Sequence, residues 1–425
     1  MTQELLILRN ARVVDPASGR DGIGDVWVSE GRVVDPGAAI PAHARCFELA
    51  GKWLVPGLID MHVHLREPGH EYKETIESGT SAAAAGGFTA VACMPNTRPV
   101  NDNAAVTRFI LEKAAGCAAR VYPVGAISRE SKGEHLAEYG EMKNAGVVAL
   151  TDDGMPVADS QLMRRAMEYA TSHGLPVLSH AEEVSLSRNG CMNEGPVSTR
   201  LGLRGIPTAA ESIMVYREIA LAELTGAWVH ICHVSCEPAV ALIRQAKLRG
   251  VKVTAETAPH YFSLTDEAVG SYNTHAKMSP PLRSEFDRQA ICQALADGTL
   301  DAIATDHAPH SVLEKDVEFS NAANGITGLE TALPLALRLV HEGVISPGRL
   351  VELLSSFPAR ILGVSGGRIC AGEVADLTVI DPERDFTFAA STSRSKCRNT
   401  PFDGWQFRGK AVLTIMDGRI TYQDI

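Results

Sequence analysis

The hydrophobic pattern changes twice along the chain. Over roughly the first 55 residues, LLILRNARVVD, DVWVSEGRVV and CFELAGKWLVPG set β-branched and apolar residues close together, cut by Gly, Asp and Pro. This predicts short strands. The last sixty or so residues share that texture in ADLTVIDPERDFTF and GKAVLTIMDGRITY, the second carrying a strand–Asp-Gly–strand hairpin signal. Between about Gly57 and Gly363 the period differs. The apolar runs LIDMHVH, TAVACMP, ARVYPVGAI, GVVALTDDG, LPVLSHAE, WVHICHVS, VKVTAETAPH and DAIATDHAPH alternate with helical stretches such as NAAVTRFILEKAAG, DSQLMRRAMEYATSHG and EPAVALIRQAKLRG, several of which stop at Gly. Repeated strand–helix alternation predicts parallel β/α units, and eight of them close into a barrel. The expected fold class is therefore α/β: a (β/α)8 TIM barrel over residues 56–363, with a small β-sandwich domain formed by residues 1–55 and 364–425.

Composition narrows what such a barrel would do. A length of 425 residues suits one barrel of ~250 residues plus a smaller domain. Lys+Arg 40 against Asp+Glu 51 leaves a net charge of -11, unsuited to neutralising phosphates, so nucleic acid is not expected as a partner. No run reaches the ~18 apolar residues that would cross a membrane. The start, MTQELLILRN, lacks the basic, apolar and cleavage regions of a secretory leader. Nine cysteines, an odd number spread over a long chain, suit reduced thiols and a cytoplasmic location. No Gly-rich phosphate loop points to a nucleotide cofactor. These features predict a cytoplasmic enzyme acting on a small molecule.

The candidate chemistry lies where the apolar runs end. In a parallel barrel the strand C-termini share one face, so side chains distant in sequence converge there. His62 and His64 close the first run at i and i+2, pointing the same way and able to bind one cation. His180, His233 and Asp306 end three further runs, and ALTDDG adds Asp152 and Asp153. Four histidines, an aspartate and a carboxylate able to bridge form the inventory of a two-metal site, with ions ~3.5–4 Å apart sharing a hydroxide. Imidazole and carboxylate ligands suit zinc best. Strand alternation that points His233 inward should send Cys232 to the opposite face, and Cys93 reads as core. His307 should support the site from behind, while nothing singles out His70, His260 or His275.

The segments DMHVHLREPG, MPNT, TDDG, SHAE, CHVS and ATDHAPH resemble the amidohydrolase superfamily, and within it the bacterial type I dihydroorotases, across essentially the whole chain. The resemblance implies two zinc ions per subunit. His62, His64 and Asp306 would hold one and His180 and His233 the other, with Asp153 (Asp152 in reserve) and a hydroxide between them. Hydantoinases and allantoinases usually bridge their metals with a carbamylated lysine, and ALTDDG has no Lys. The implied reaction is reversible hydrolysis of (S)-dihydroorotate to N-carbamoyl-L-aspartate, the third step of de novo pyrimidine synthesis, with Asp306 moving the proton. Substrate contacts would come from His64, Arg66, Asn96, Ser279, His310, Asn324 and Gly325, with Arg66, Asn96 and His310 on the carboxylate. Two places depart from the family pattern: Ser279 stands where Asn is usual, and Ala323 and Asn324 replace Pro-Phe before Gly325. The polar stretch 311–324 is either a mobile lid or a fixed surface loop. Family habit allows a homodimer or a complex with aspartate transcarbamoylase. The alternatives are another cyclic amidase, such as a hydantoinase or allantoinase, and a non-catalytic scaffold for aspartate transcarbamoylase. The complete ligand set weighs against the scaffold.

Overall fold

The computed structural model describes residues 5–37, 40 and 44–425; Met1–Glu4, part of the stretch read for a leader, lie outside it. The N-terminal end forms β1 (Leu6–Asp15), β2 (Arg20–Ser29), β3 (Arg32–Val34), β4 (Arg45–Glu48) and β5 (Trp53–Pro56). The chain then enters β6 (Leu58–Val63), β7 (Phe88–Cys93), β8 (Arg120–Gly125), β9 (Ala149–Leu150), β10 (Val177–Ser179), β11 (Val229–Ile231), β12 (Val253–Thr257) and β13 (Ala302–Ile303). It ends in β14 (Leu377–Thr387), β15 (Gln406–Met416) and β16 (Arg419–Gln423).

Strands β6 to β13 lie side by side in sequence order, all parallel, as β/α units require. The ring closes through a parallel bridge between Val63 and His307, with His64 N donating to His307 O at 2.9 Å. A helix follows each strand: α1 (Ile76–Ala85), α2 (Ala104–Ala114), α3 (Tyr139–Ala145), α4 (Ser160–Ser172), α5 (Ala209–Thr225), α6 (Glu237–Leu248), α7 (Glu285–Asp297) and α8 (Ala332–His341). Helix α4 shows why. Asp159 caps its first turn by accepting from Leu162 N, and Met163, Ala166, Met167 and Ala170 bury one face at helical spacing. The barrel interior is filled by small and apolar side chains, among them Met61, Ala90, Ala92, Val124 and Leu178. Ala359, Ile361 and Leu362 of the short helix Phe357–Leu362 close its floor. The architecture is the (β/α)8 barrel that the alternation predicts.

Both ends of the chain combine in one mixed sheet, in the order β16-β15-β14-β5-β1-β2-β3 with β4 also on β1. It forms a separate domain and curls over its own core, where Leu8, Val13, Val26, Leu54, Val379 and Leu413 meet. The curl brings the turn after β2 against the turn after β15, so closely that a Cβ on Gly418 would lie 2.7 Å from Gly31 Cα. Arg120, at the start of β8, joins the two bodies by pairing with Asp376 and Asp417. No helix among the described residues is long and apolar enough to cross a membrane.

Candidate active site

The strand ends gather the expected side chains around Asp153. Its Oδ1 lies 3.4 Å from His62 Nε2, 3.4 Å from His180 Nδ1 and 3.6 Å from His233 Nε2, and its Oδ2 is 3.5 Å from His64 Nε2. Asp306 Oδ1 is 3.0 Å from His64 Nε2 and 3.7 Å from His62 Nε2. All six residues are buried. Among the potential ligand groups of the described residues, His62–His64–Asp153 and Asp153–His180–His233 have Asp153 in common. Asp152 turns away: its carboxylate accepts from Ile127 N at 2.8 Å and from Ser128 N at 3.1 Å.

The backbone is strained to bring these groups together. Arg66, His233 and Asp306 have φ of 63°, 38° and 47°, the left-handed region that non-glycine residues rarely adopt. At His233 this has a second consequence. Cys232 does not face away as strand alternation predicts; it packs inside the barrel with Met61 and Ala304 and falls within ligand range of His62 and Glu256. The left-handed turn at His233 breaks the two-residue period, so both neighbours turn inward. Burial pushes the Cys232 thiol up to about 12, which keeps it protonated.

Three of the histidines have their second nitrogen fixed from behind. His62 Nδ1 donates to Glu256 Oε1 at 2.7 Å, His64 Nδ1 to Asn96 Oδ1 at 2.9 Å, and His180 Nε2 to Glu182 Oε2 at 2.9 Å. This sets the tautomers and aims His62 Nε2, His64 Nε2 and His180 Nδ1 at the centre. Glu256 is itself held by His230 Nε2 at 3.2 Å. Burial opposes its charge, yet the hydrogen bonds from His230 and His62 win and pull it down to about 2. Burial likewise opposes charge on His180, while Asp153 and Glu182 outweigh it and push that imidazole up to about 10. His62 Nε2 and Asp153 Oδ1 are buried at the centre with no hydrogen-bond partner. Buried polar atoms are seldom left unpaired, and a cation between imidazole and carboxylate would satisfy both, so the donor set fits a metal. Glu256→Gln keeps the shape of this support and removes its charge. It is expected to weaken metal binding about tenfold, read by competition with a chelator, with the folded CD spectrum retained. An unchanged affinity would assign Glu256 to packing alone.

Beside the centre opens a cleft of about 350 Å³ lined by Arg66, Asn96, Ser279, His310 and Asn324 as well as His64, Asp153, His180, His233 and Asp306. The sequence candidates thus share one cavity, apart from His62 and Gly325, which are not among its lining residues. Gly325 stands just behind the wall; a Cβ there would meet Ala308 O at 2.6 Å and His310 Cδ2 at 2.7 Å, on a backbone already at φ 155°. His310 sits 3.3 Å from both Arg66 Nη2 and Lys73 Nζ, and burial together with these two cations pushes it down to about 3, so it is neutral. His307 supports the site as expected, with Nε2 3.3 Å from Glu74 Oε2 and Nδ1 accepting from Gly328 N at 3.1 Å. His70, His260 and His275 do not line the cleft. The stretch 311–324 contains the short helix Val312–Lys315 and is tied at several points. Lys73 Nζ meets Glu314 Oε1 at 2.6 Å, Lys277 Nζ donates to Ala322 O at 2.7 Å, and Lys315 Nζ donates to Ala323 O at 2.8 Å.

Sequence reasoning missed Glu182, Glu256 and Lys73. Glu256 had a signal: a carboxylate at an inward position of the otherwise apolar run VKVTAET needs a partner inside the barrel.

A parallel barrel whose strand ends direct four histidines and two aspartates at one point has the architecture of the metal-dependent amidohydrolases. The family described as "Dihydro-orotase-like" matches residues 51–238. The dihydroorotase of Desulfotalea psychrophila is 65% identical over 98% of this chain and 99% of its own, and that of Desulforapulum autotrophicum is 61% identical over 99% of each. Among solved structures, the L-hydantoinase (dihydropyrimidinase) of Arthrobacter aurescens superposes with a TM-score of 0.89 at 25% identity, covering 100% of this chain and 97% of that one. The dihydropyrimidinase of Brevibacillus agri gives a TM-score of 0.85 at 25% identity, over 99% of this chain and 95% of its own. The chain belongs to the dihydroorotase family.

Proposed function

We propose that the chain catalyses the reversible hydrolysis of (S)-dihydroorotate to N-carbamoyl-L-aspartate with two zinc ions, in the cytoplasm, as the third step of pyrimidine synthesis. The observation that carries this reading is the sharing of Asp153 between two ligand groups at the edge of a cleft holding Arg66, Asn96 and His310. His62, His64 and Asp306 would hold one ion, His180 and His233 the other, and Asp153 would bridge them. When bound, the ions would polarise the ring carbonyl and lower the pKa of water towards neutrality.

The protein's own groups do the rest. The Arg66 guanidinium presents a planar fork suited to the substrate carboxylate. Neutral His310 and the Asn96 amide add hydrogen bonds without a further full charge. Asn324 and Ser279 line the same cleft and would offer polar heads to the substrate, and His64 borders the same space. Asp306 takes the proton of the attacking water on a carboxylate oxygen and gives it to the ring nitrogen as the C–N bond breaks. In ring closure the ureido nitrogen attacks the carboxyl carbon and gives up its proton to Asp306, which passes it to the departing hydroxyl so that water leaves. Residues 56–363 would supply this chemistry, while 1–55 and 364–425 would form the composite β domain. A homodimer or a complex with aspartate transcarbamoylase fits the same reading.

The test is dihydroorotate hydrolysis by purified protein before and after chelation. Activity should fall at least about a hundredfold on stripping and return with zinc, because the metal supplies several kcal/mol of transition-state stabilisation. Protein that binds metal but turns over only hydantoins or allantoin would overturn the substrate assignment. Protein that binds no metal and has no activity would favour a scaffold.

A further inference from the structure

The chain does not stay with the terminal sheet after β14. Residues 389–405, between β14 and β15, reach the segments that follow β6 and β13 as a strap. Arg394 N donates to Glu330 Oε1 at 2.7 Å, and Lys396 N donates to Glu74 Oε1 at 3.0 Å, with Ser393 and Ser395 hydroxyls on the same two carboxylates. Asn399 lies near the end of this strap and is 2% exposed. Its Oδ1 accepts from His310 N at 2.9 Å, while Nδ2 donates to Ala308 O at 2.9 Å and to Gly325 O at 3.0 Å.

We propose that Asn399 is a positioning residue for substrate recognition, holding from outside the barrel the backbone that forms the carboxylate end of the cleft. The inference rests on reading that cleft as the dihydroorotate site. One side chain spans two segments that reach the cleft separately, 308–310 after β13 and 324–327 further on. Gly325 O is gripped from two directions, since Lys315 Nζ also donates to it at 3.0 Å. The Asn399 carbonyl in turn accepts from Thr327 N at 2.9 Å. Ala308, His310 and Asn324 line the cleft and Asn399 does not, so it acts through them.

The chemistry at position 399 requires an amide. A planar head with one acceptor and two donors matches one N–H and two carbonyls. Aspartate, of nearly the same size, would keep the acceptor for His310 N but turn its second oxygen, an acceptor, toward two carbonyl oxygens. Alanine would leave three buried backbone groups without this partner. Either change lets His310 and Asn324 drift relative to Arg66, and a carboxylate site displaced by even ~1 Å binds poorly. Of the proposed ligands only Asp306, two residues before Ala308, shares this strand end, and Asn399 bonds the backbone beyond it, so the metal centre should keep its ions.

The experiment is steady-state hydrolysis of dihydroorotate by zinc-loaded Asn399→Ala and Asn399→Asp, with Ser393→Ala as a variant that loosens the strap elsewhere. Both Asn399 variants should raise KM about tenfold or more, with kcat within about threefold of wild type and metal content unchanged. Ser393→Ala should keep the wild-type KM. A merely structural strap would lower the unfolding midpoint without this split, so a KM within about twofold of wild type in both variants, or a loss confined to kcat, overturns the proposal. If Asn399→Ala does not fold, the near-isosteric Asn399→Asp carries the test. Wild-type protein inert toward dihydroorotate removes the reading of the cleft and this inference with it; an active wild type with unmoved Asn399 variants removes the inference alone.

Discussion

Asp306→Asn should leave the protein folded and metal-loaded while slowing dihydroorotate hydrolysis on the order of a thousandfold. Asparagine keeps an oxygen in place of the aspartate oxygen that lies 3.0 Å from His64 Nε2, so the ligand geometry survives. What it removes is the site that accepts the water's proton and passes it to the ring nitrogen. General acid–base groups contribute roughly 10²–10⁴-fold, and here one group serves both steps. In kcat/KM, synthesis must slow by the same factor as hydrolysis, because the variant cannot change the equilibrium between cyclic and open forms. The measurement is kcat and kcat/KM in both directions alongside metal content. A variant with full metal and activity within about tenfold of wild type would transfer the proton-moving role to another group.

The part of this site that was legible in sequence is the part that geometry forces. Parallel strands must end at one face, so a His, Asp or Asn at the end of each apolar run declares where it will lie. The barrel itself was legible because helix and strand periods alternate along the middle of the chain. The support for the ligands was harder to see. Glu182 follows His180 by two residues yet reads as an ordinary loop acid, and Glu256 is a lone charge within a strand. Cys232 was misplaced because alternation is a rule for strands, and His233 leaves the strand with φ at 38°. Asn399 gave no signal at all: it lies 91 residues from its partner Ala308 and beyond the last barrel helix. Runs such as GVVALTDDG and DAIATDHAPH also overstate their strands, for only Ala149–Leu150 and Ala302–Ile303 belong to the ladder. The remaining residues bend away to deliver Asp153 and Asp306.

Asp153→Ala should abolish metal binding and activity together. Asp153 is the acceptor that all four histidines face, at 3.4 to 3.6 Å. It is held well below the usual carboxylate range: burial opposes its charge, but the attraction of His62 and the nearby nitrogens of His180 and His233 prevails. With alanine, the imidazoles keep their outer partners Glu256, Asn96 and Glu182, so the fold should persist. Their inner nitrogens would then face one another around a gap with Asp306 as the remaining carboxylate. Two cations placed there would repel with no bridging anion to offset them, so metal content should fall below one ion per subunit and not recover in excess zinc. Since bound metal supplies several kcal/mol of transition-state stabilisation at ~1.4 kcal/mol per tenfold, activity should drop by about 10⁴-fold or more. Asp152→Ala provides the contrast. Its carboxylate holds Ile127 N and Ser128 N, so that variant should lose stability while keeping its metal. If instead Asp152→Ala is the one that empties the site, the bridge belongs to Asp152, and the loop from β9 must turn differently when metal is present.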